Sequence, residues 1–168
     1  MTAQLSQTQL RRVFAAFPTG IAAVAAVVDG APAGLAASSF VSVSLEPPLV
    51  SVCIAHTSTT WPVLRTAGRL GISVLGVHHE QASRQLSSRA GERFAGLQWR
   101  ATAHGAVLLC KASAWFDCSL EQEIPAGDHD IVLLRVHDLG ASEVMPLVFH
   151  DSSYRQLKHF GAAALAKA

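Results

Sequence analysis

The pattern of hydrophobic and polar positions predicts a chain built mostly from short β-strands. An amphipathic helix is predicted over residues 6–17, because its apolar residues recur on one face and Pro18 ends it. The continuous apolar run at residues 21–28 predicts a buried strand. The turn residues at 29–32 then lead into a second strand that begins at Ala33.

The third predicted strand, residues 49–54, shows true alternation of apolar and polar positions. Its two valines and Ile54 share one face while Ser51 and Cys53 share the other, because successive side chains of a strand point to opposite faces. Two short helices are predicted over residues 60–67 and 80–88, and four further strands over residues 70–77, 112–122, 130–140 and 146–150.

This order of elements predicts a β-barrel with a few peripheral helices. Strands outnumber helices and do not alternate with them regularly, which argues against a doubly wound parallel sheet. Neither GxGxxG nor GxxxxGK[ST] occurs in the sequence, so any nucleotide is held in another way. We expect the 168 residues to form one domain, with the barrel over residues 18–157 and an alanine-rich tail at 161–168.

Composition narrows the classes of partner. Half of the residues are hydrophobic and only 15% are charged, which predicts an apolar surface that a second copy of the chain covers. A formal net charge of +1 argues against nucleic acid or an anionic membrane as partner. Three cysteines without paired spacing, no signal-like start and no apolar run long enough to span a bilayer predict a cytoplasmic protein.

Eight histidines raise the question of a metal site. His78 and His79 are adjacent on a predicted strand and therefore point to opposite faces. The sequence contains no HxxxH, HExxH or CxxC spacing that would bring ligands to one ion. We therefore expect no metal.

Small hydroxyl side chains are concentrated in the segment GLAASSFVSVSLEPPLVSVCI, residues 34–54, where Glu46 carries the only charge. A buried hydroxyl without a partner costs roughly 1–3 kcal/mol. These serines therefore bond either to the backbone or to a ligand. A similar pair of alternatives applies to Ser58 and Thr59, which precede a predicted helix and serve either as a helix cap or as part of an anion site.

Four separated motifs together resemble the short-chain flavin reductases: FPTGIAAVAAVVDG, GLAASSFVSVSLEPPLVSVCI, GERFAGLQW and AGDHDIVLLRV. The resemblance covers about residues 17–157. Proteins of that family are the reductase partners of two-component flavin monooxygenases. The resemblance implies a mainly β fold, the FMN-binding split barrel, which is an antiparallel barrel of Greek-key type with a few peripheral helices.

The resemblance also implies roles for particular residues. By position, the flavin ring is lined by Ser38, Ser39, Ser51 and Cys53, and the phosphate is held by Ser58, Thr59 and Thr60. Gln81 falls in a segment that approaches the ring, Arg93 and Phe94 lie near the flavin, and His129 of the AGDHDI turn binds the nicotinamide nucleotide. The sequence departs from the family at Ala36, where threonine is usual, and at Ser73, where asparagine is common.

For the arginines that follow the predicted helix over residues 80–88, an ordinary solvated helix face remains an alternative to a role near the flavin. Arg89 and Arg93 share a helix face only if the helix continues through Gly91.

The implied function is an NAD(P)H:flavin oxidoreductase that reduces FMN or FAD by hydride transfer from NADH or NADPH. It forms a homodimer and passes reduced flavin to a separate oxygenase. The cofactors supply the chemistry, so no catalytic acid, base or nucleophile is expected from the protein. Two alternatives stay open: a non-catalytic flavin carrier or sensor on the same barrel, and another oxidase or a haem-binding relative of it.

Overall fold

Seven antiparallel strands form the main sheet in the computed structural model of the protein, which describes residues 5–158. In chain order the elements are α1 (Gln7–Phe14), β1 (Thr19–Gly20), β2 (Ala22–Val28), β3 (Ala31–Ala37), β4 (Val41–Leu45), β5 (Pro48–Ala55), α2 (Trp61–Leu64), β6 (Leu70–Val74), α3 (Glu80–Ser87), β7 (Trp99–Ala101), β8 (Val107–Leu109), β9 (Ala114–Ala126), β10 (His129–Ala141), β11 (Leu147–His150) and β12 (Ser153–Gln156). The main sheet has the order β3-β2-β6-β9-β10-β5-β4. Strands β1, β11 and β12 form a second sheet, and β7 pairs with β8.

Tight turns set the register of the two hairpins that matter most for the site. Asp29 and Gly30 join β2 to β3 with φ of 50° and 79°, a conformation in which both turn residues favour a hairpin of right-handed twist. Gly127 has φ of 72° and, with Asp128, joins the two longest strands, β9 and β10. This turn places His129 at the start of β10, opposite Ala55 at the end of β5.

The short connection from β3 to β4 brings the two edges of the main sheet together. β3 is one edge strand and β4 is the other, yet only residues 38–40 join them. Three connecting residues span at most about 14 Å, so the sheet curls until its edges meet at this end. The sheet stays unclosed between its edges β3 and β4, which confirms the split barrel that the resemblance implied.

The core lies inside this curled sheet. Its largest fully buried side chains include Leu64, Leu70, Ile72 and Leu134. A second cluster around Leu75 and the α3 side chains of Ala82 and Leu86 packs beneath β11 and the following strand. The alternation predicted for β5 is confirmed, since Val50, Val52 and Ile54 are buried on one face.

Several elements differ from the sequence prediction. The N-terminal helix ends at Phe14, three residues before the predicted end. The strands β1, β4, β7, β8 and β12 were not predicted. All five have five residues or fewer, and the edge strand β4 is bulged at Val43, which lies between the register-shifted pairs of Ser42 and Ser44. The division of the chain into one domain stays a prediction, and the alanine-rich tail at 161–168 lies outside the described residues.

No helix in residues 5–158 is long and apolar enough to cross a membrane.

The α1 helix leaves its apolar side chains largely uncovered, with Val13 and Phe14 both 68% exposed. Ser6 begins this helix with a capping box in which its hydroxyl and the Gln9 side chain bond to each other's backbone N–H groups.

Candidate functional site

A cleft of about 530 Å³ opens where the edges of the sheet meet. Its walls come from the end of β3, the end of β5, the segment before α2, the end of α3 with the loop that follows, and the start of β10. The lining residues are Leu35, Ala36, Ala37, Ser38, Ser39, Cys53, Ile54, Ala55, Thr57, Ser58, Thr59, Thr60, Leu86, Ser87, Arg89, Arg93 and His129. The site is therefore assembled from segments that are far apart in sequence.

The hydroxyl of Ser39 bonds to the backbone. Its Oγ accepts from the Cys53 N–H at 2.8 Å and donates to the Cys53 carbonyl at 3.2 Å. Val41 stands opposite Ser51 in the β4–β5 ladder, so Ser39 stands where the next partner of Cys53 would be. The side chain thus replaces one pair of ladder hydrogen bonds and holds the sheet edges together beside the cleft.

The hydroxyl of Ser58 is also used by the backbone, because it accepts from the Trp61 N–H at 3.1 Å. Ser58 therefore makes the kind of bond expected of a helix cap, and it also lines the cleft. The short helix α2 that follows has Thr60 at its N-cap position, with no side-chain bond to the helix from that residue.

Arg93 forms one end of the cleft. Its Nη1 donates to the Gly34 carbonyl at 3.0 Å and to the Thr60 hydroxyl. These bonds fix the guanidinium between β3 and α2 although α3 itself ends at Ser87. The helix does not continue through Gly91, so the condition under which Arg89 and Arg93 would share a helix face is not met. Gly91, with φ of 89°, turns the chain in a loop that brings both arginines to the cleft instead.

The charge of this cleft is one-sided. Arg89 and Arg93 are among the lining residues, and none of the lining residues in the described part of the chain is acidic. The arginine end therefore suits an anionic group, whereas Leu35, Ile54 and Leu86 supply apolar surface.

His129 lines the cleft at the start of β10. Its Nδ1 donates to the Asp128 carboxylate at 2.7 Å, which leaves Nε2 available. This bond lowers the pKa of the Asp128 carboxyl below its usual value. In the neighbouring pair, His56 Nε2 lies 3.1 Å from the Asp130 carboxylate, but neither of these residues is among those that line the cleft. His129 is therefore the histidine that this region contributes to the cleft.

The three cysteines differ sharply in environment, and all are free. Cys53 is exposed in the cleft. Cys118 is buried in the core, where desolvation, with a smaller contribution from Asp117, raises the pKa of its thiol to about 12. Cys118 is therefore a packing residue, as expected for a buried thiol.

Three sequence-predicted site residues lie away from the cleft. Ser51 is 5% exposed and lies on the same face of β5 as Cys53, two residues earlier, where β5 pairs with β4 through Val41. Gln81 is exposed on α3, whose inward residues are Ala82, Ser83 and Leu86. Phe94 lines a neighbouring cavity, because the loop after Arg93 turns it toward Trp99. These three residues are not among those that line the cleft, and their expected roles near the flavin stay predictions, whereas Ser38, Ser39, Cys53, Ser58, Thr59, Thr60, Arg93 and His129 all line the cleft.

The remaining residues singled out from the sequence have structural partners. Ser73 is buried and accepts from the Leu109 N–H at 2.9 Å. His79 accepts from the Gly76 N–H through Nδ1 and donates from Nε2 to the Cys110 carbonyl, both at 3.1 Å. Burial, reinforced by the neighbouring His78, lowers the pKa of His79 to about 4. In residues 5–158 no three His, Cys, Asp or Glu side chains are grouped as metal ligands would be.

The cleft fits a flavin in size and chemistry. Its volume lies in the range of roughly 300–1,000 Å³ that binds small ligands. Small residues such as Ala36 and Ala37 would let a flat ring approach the β3 backbone, and the two arginines supply positive charge that suits a phosphate. Sequence reasoning did not assign Thr57, Ser87 or Leu86 to the site. No local sequence pattern marks these residues. Leu86 and Ser87 reach the cleft because α3 packs against β3.

Comparisons with known proteins agree with this geometry. The profile of the family described as "Flavin reductase like domain" matches residues 14–158. The actinorhodin polyketide dimerase of Streptomyces coelicolor is 39% identical over 153 residues, which are 90% of this chain and 86% of that protein. HsaB, the reductase subunit of a flavin-dependent monooxygenase of Mycobacterium tuberculosis, is 33% identical over 157 residues, covering 92% of this chain and 84% of HsaB.

A solved structure extends the likeness to the fold. SgcE6 of Streptomyces globisporus, an NADH:FAD oxidoreductase solved in complex with NAD and FAD fragments, superposes with a TM-score of 0.87. It is 31% identical, and the match covers 95% of this chain and 100% of that one.

Proposed function

The chain belongs to the flavin reductase-like family, and we propose that its hydroxyl- and arginine-lined cleft is where it binds flavin and the nicotinamide nucleotide. The protein is an NAD(P)H-dependent flavin oxidoreductase that supplies reduced flavin to a partner monooxygenase. The observation that carries the proposed site is the cleft itself, where apolar walls, free hydroxyls and two arginines meet without a carboxylate.

A flavin held in the cleft would supply the redox chemistry by accepting hydride from the nicotinamide, so the protein's residues contribute position and polarity rather than an acid or nucleophile. We assign the flat ring to the surface between Ala36 and Ile54, where small side chains allow close approach to backbone. The hydroxyls of Ser38 and Thr59 are free to bond the ligand, since neither has a hydrogen-bond partner in the described part of the chain. Arg93 then lies at the phosphate end, already oriented by its bonds to Gly34 and Thr60.

His129 is assigned to the nicotinamide nucleotide. It lines the cleft at the start of β10, and its Nδ1 is held by Asp128. The aspartate fixes the tautomer so that Nε2 faces a hydrogen-bonding group of the second substrate. A side chain that recognises the nucleotide in this way is a binding and positioning residue for hydride transfer.

A second copy of the chain is proposed to cover the exposed apolar surface. On α1 and the following loop Val13, Phe14 and Phe17 are 68%, 68% and 74% exposed, and on the edge strand β4 Leu45 is 95% exposed. Uncovered apolar surface of this kind favours association. Light scattering at micromolar concentration is expected to give the mass of a dimer, and a monomeric mass would contradict the homodimer.

A reducing compartment is proposed from the cysteines. All three are free, and none is placed to pair with another by the fold as described. Free thiols persist where glutathione and thioredoxin keep them reduced, which favours the cytoplasm. We expect that the folded protein purified from a reducing lysate is active. After it is unfolded, three thiols are expected to titrate.

Steady-state oxidation of NADH and of NADPH, with FMN, FAD and riboflavin supplied in turn, tests the function. We expect saturable, flavin-dependent oxidation of at least one nucleotide. A protein that binds flavin, with absorbance near 450 nm, but oxidises neither nucleotide would be a carrier or sensor. A Soret band in place of flavin absorbance would identify the haem-binding alternative.

A further inference from the structure

A half-buried carboxylate near the end of β9 holds the short helix α2. Glu123 stands opposite Val132 in the β9–β10 ladder, so its side chain points to the same inner face of the sheet as that fully buried valine. Its Oε1 accepts from the Trp61 indole N–H at 2.6 Å, and its Oε2 accepts from the Arg65 guanidinium. Trp61 begins α2 and Arg65 is its C-cap, so one carboxylate bonds both ends of the helix. Glu123 itself is not among the residues that line the cleft.

The helix that Glu123 holds is continuous with one wall of the cleft. The Thr60 carbonyl accepts from two N–H groups of α2, each at 3.1 Å, and the Ser58 hydroxyl accepts from the first N–H of that helix. Because these bonds join the helix to the segment before it, a rotation of α2 displaces the hydroxyls of residues 58–60. These hydroxyls line the cleft, and that of Thr60 bonds Arg93.

The orientation of α2 depends on contacts with other elements. The helix has four residues, and a helix this short has no stability of its own in water. Trp61 and Leu64 anchor it in the core, with 5% and 0% exposure, but apolar packing is non-directional. Hydrogen bonds have preferred angles and therefore fix orientation. The directional side-chain contacts are the bond from Arg93 to Thr60 at the cleft and the two bonds to Glu123 on β9.

We propose that Glu123 is a positioning residue for flavin binding, because it orients α2 so that the hydroxyls of residues 58–60 and Arg93 together fit the flavin phosphate. The inference rests on the proposed flavin site and adds to that site a residue that does not touch the ligand. Its effect is confined to the phosphate end. The ring is assigned to the surface between Ala36 and Ile54, which β3 and β5 supply, so a flavin without a phosphate is insensitive to Glu123.

The sign of the effect separates positioning from charge. Removal of the Glu123 carboxylate makes the surroundings of the phosphate more positive, so Coulomb attraction alone would strengthen the binding of an anion. Loss of positioning weakens it instead. Glu121→Ala is the matched control for the loss of one negative charge and one ion pair. Glu121 lies on the same strand and also bonds an arginine, but that residue is Arg135 of β10.

The test compares FMN with riboflavin, which has the same ring but no phosphate. Dissociation constants for both flavins are measured by fluorescence titration for the wild type, Glu123→Ala and Glu121→Ala. We expect Glu123→Ala to weaken FMN binding at least fivefold and to leave riboflavin binding within twofold. Glu121→Ala is expected to change neither value by more than twofold. Unchanged or tighter FMN binding in Glu123→Ala, or equal losses for the two flavins, overturns the proposal.

A second variant keeps the proposal testable if Glu123→Ala fails to fold. The Arg65 side chain is 52% exposed, so Arg65→Ala removes one of the two bonds to Glu123 from the surface and leaves the core filled. FMN binding is expected to weaken at least twofold while riboflavin binding is unchanged. Arg84→Ala removes a positive charge from another exposed ion pair and is expected to change neither. Equal FMN affinities in the two arginine variants contradict the proposal.

Failure of the proposed flavin site looks different from failure of this inference. If the wild type binds FMN no more tightly than riboflavin, the cleft does not recognise a phosphate, and the site fails together with the role of Glu123. If the wild type prefers FMN, Arg93→Ala abolishes the preference and Glu123→Ala keeps it, the site stands and only the role of Glu123 is wrong.

Discussion

Two sets of small hydroxyls differ in what they bond. Ser39, in the wall of the cleft, and the buried Ser73, away from it, bond main-chain groups of distant strands, so they belong to the fold. Ser38 and Thr59 line the cleft with no protein partner in the described part of the chain, so they are open to a ligand. The residues are chemically alike and close in sequence. Only tertiary structure decides which of them serve the fold and which serve the site.

Arg93 connects the two sets, because it fixes the Thr60 hydroxyl and forms the anion-binding end of the cleft. Arg93→Ala is expected to weaken flavin binding by about 10- to 150-fold, since a charged hydrogen bond contributes roughly 1.5–3 kcal/mol. Fluorescence titration with FMN measures this. Arg84→Ala is the control, because Arg84 is an exposed arginine on α3 that bonds Glu80 outside the cleft. If Arg93→Ala binds FMN with wild-type affinity, Arg93 does not contribute to flavin binding.

His129 extends the open set to the second substrate. His129→Ala is expected to raise the KM for NADH by about five- to a hundredfold with flavin affinity nearly unchanged, because one hydrogen bond of roughly 1–3 kcal/mol is lost. A lower kcat as well would mean that the contact also aligns hydride transfer. His56→Ala, which removes the neighbouring histidine, is the matched control. Loss of flavin binding with an unchanged KM would reverse the two assignments.

Ser39 represents the set that serves the fold. Ser39→Ala leaves both backbone groups of Cys53 without their partner, at a cost of about 1–3 kcal/mol. In a domain of this size that lowers the Tm by roughly 2–10 °C. Differential scanning fluorimetry of the flavin-free protein measures the shift. An unchanged Tm would show that water replaces the serine at no cost, and the distinction between the two sets would fail at this residue.

His79 resembles Ser39 in that its side chain bonds two backbone groups, the Gly76 N–H and the Cys110 carbonyl. Its folded pKa of about 4 lies below the unfolded value of 6.5, so its contribution to stability is complete above pH 6.5 and is lost as the pH falls toward 4. The shift corresponds to roughly 2 kcal/mol after allowance for solvent screening. Denaturant unfolding at several pH values measures it. The stability of His79→Gln is expected to vary less over this interval, and an equal slope in both proteins would assign the dependence elsewhere.

Ser38 gives the smallest effect and the sharpest contrast with Ser39. Ser38→Ala removes an exposed hydroxyl, so the free energy of unfolding is expected to stay within about 0.5 kcal/mol. Flavin affinity is expected to fall about two- to tenfold through one lost hydrogen bond. Opposite results, with stability lost and affinity kept, would move Ser38 into the set that serves the fold.

Much of the fold and part of the site were predictable from the sequence. The alternation of β5 predicted that Ser51 and Cys53 share one face, and Cys53 does line the cleft. The Gly-Asp turn correctly placed His129 at a strand start. The bond from Ser39 to Cys53 was not predictable, because it joins residues 14 apart through a connection between two sheet edges. Which cavity the Phe94 ring lines was not predictable for a similar reason, since Phe94 lies in a loop without periodicity.

Amide chemical-shift perturbation by FMN shows most directly where the flavin binds. Binding in the cleft is expected to give the largest shifts at Ser38, Thr59, Thr60 and Arg93, with the buried Ser73 and the region of His79 nearly unchanged. Shifts concentrated around His79 or along the exposed face of α1, with the cleft residues unmoved, would contradict it.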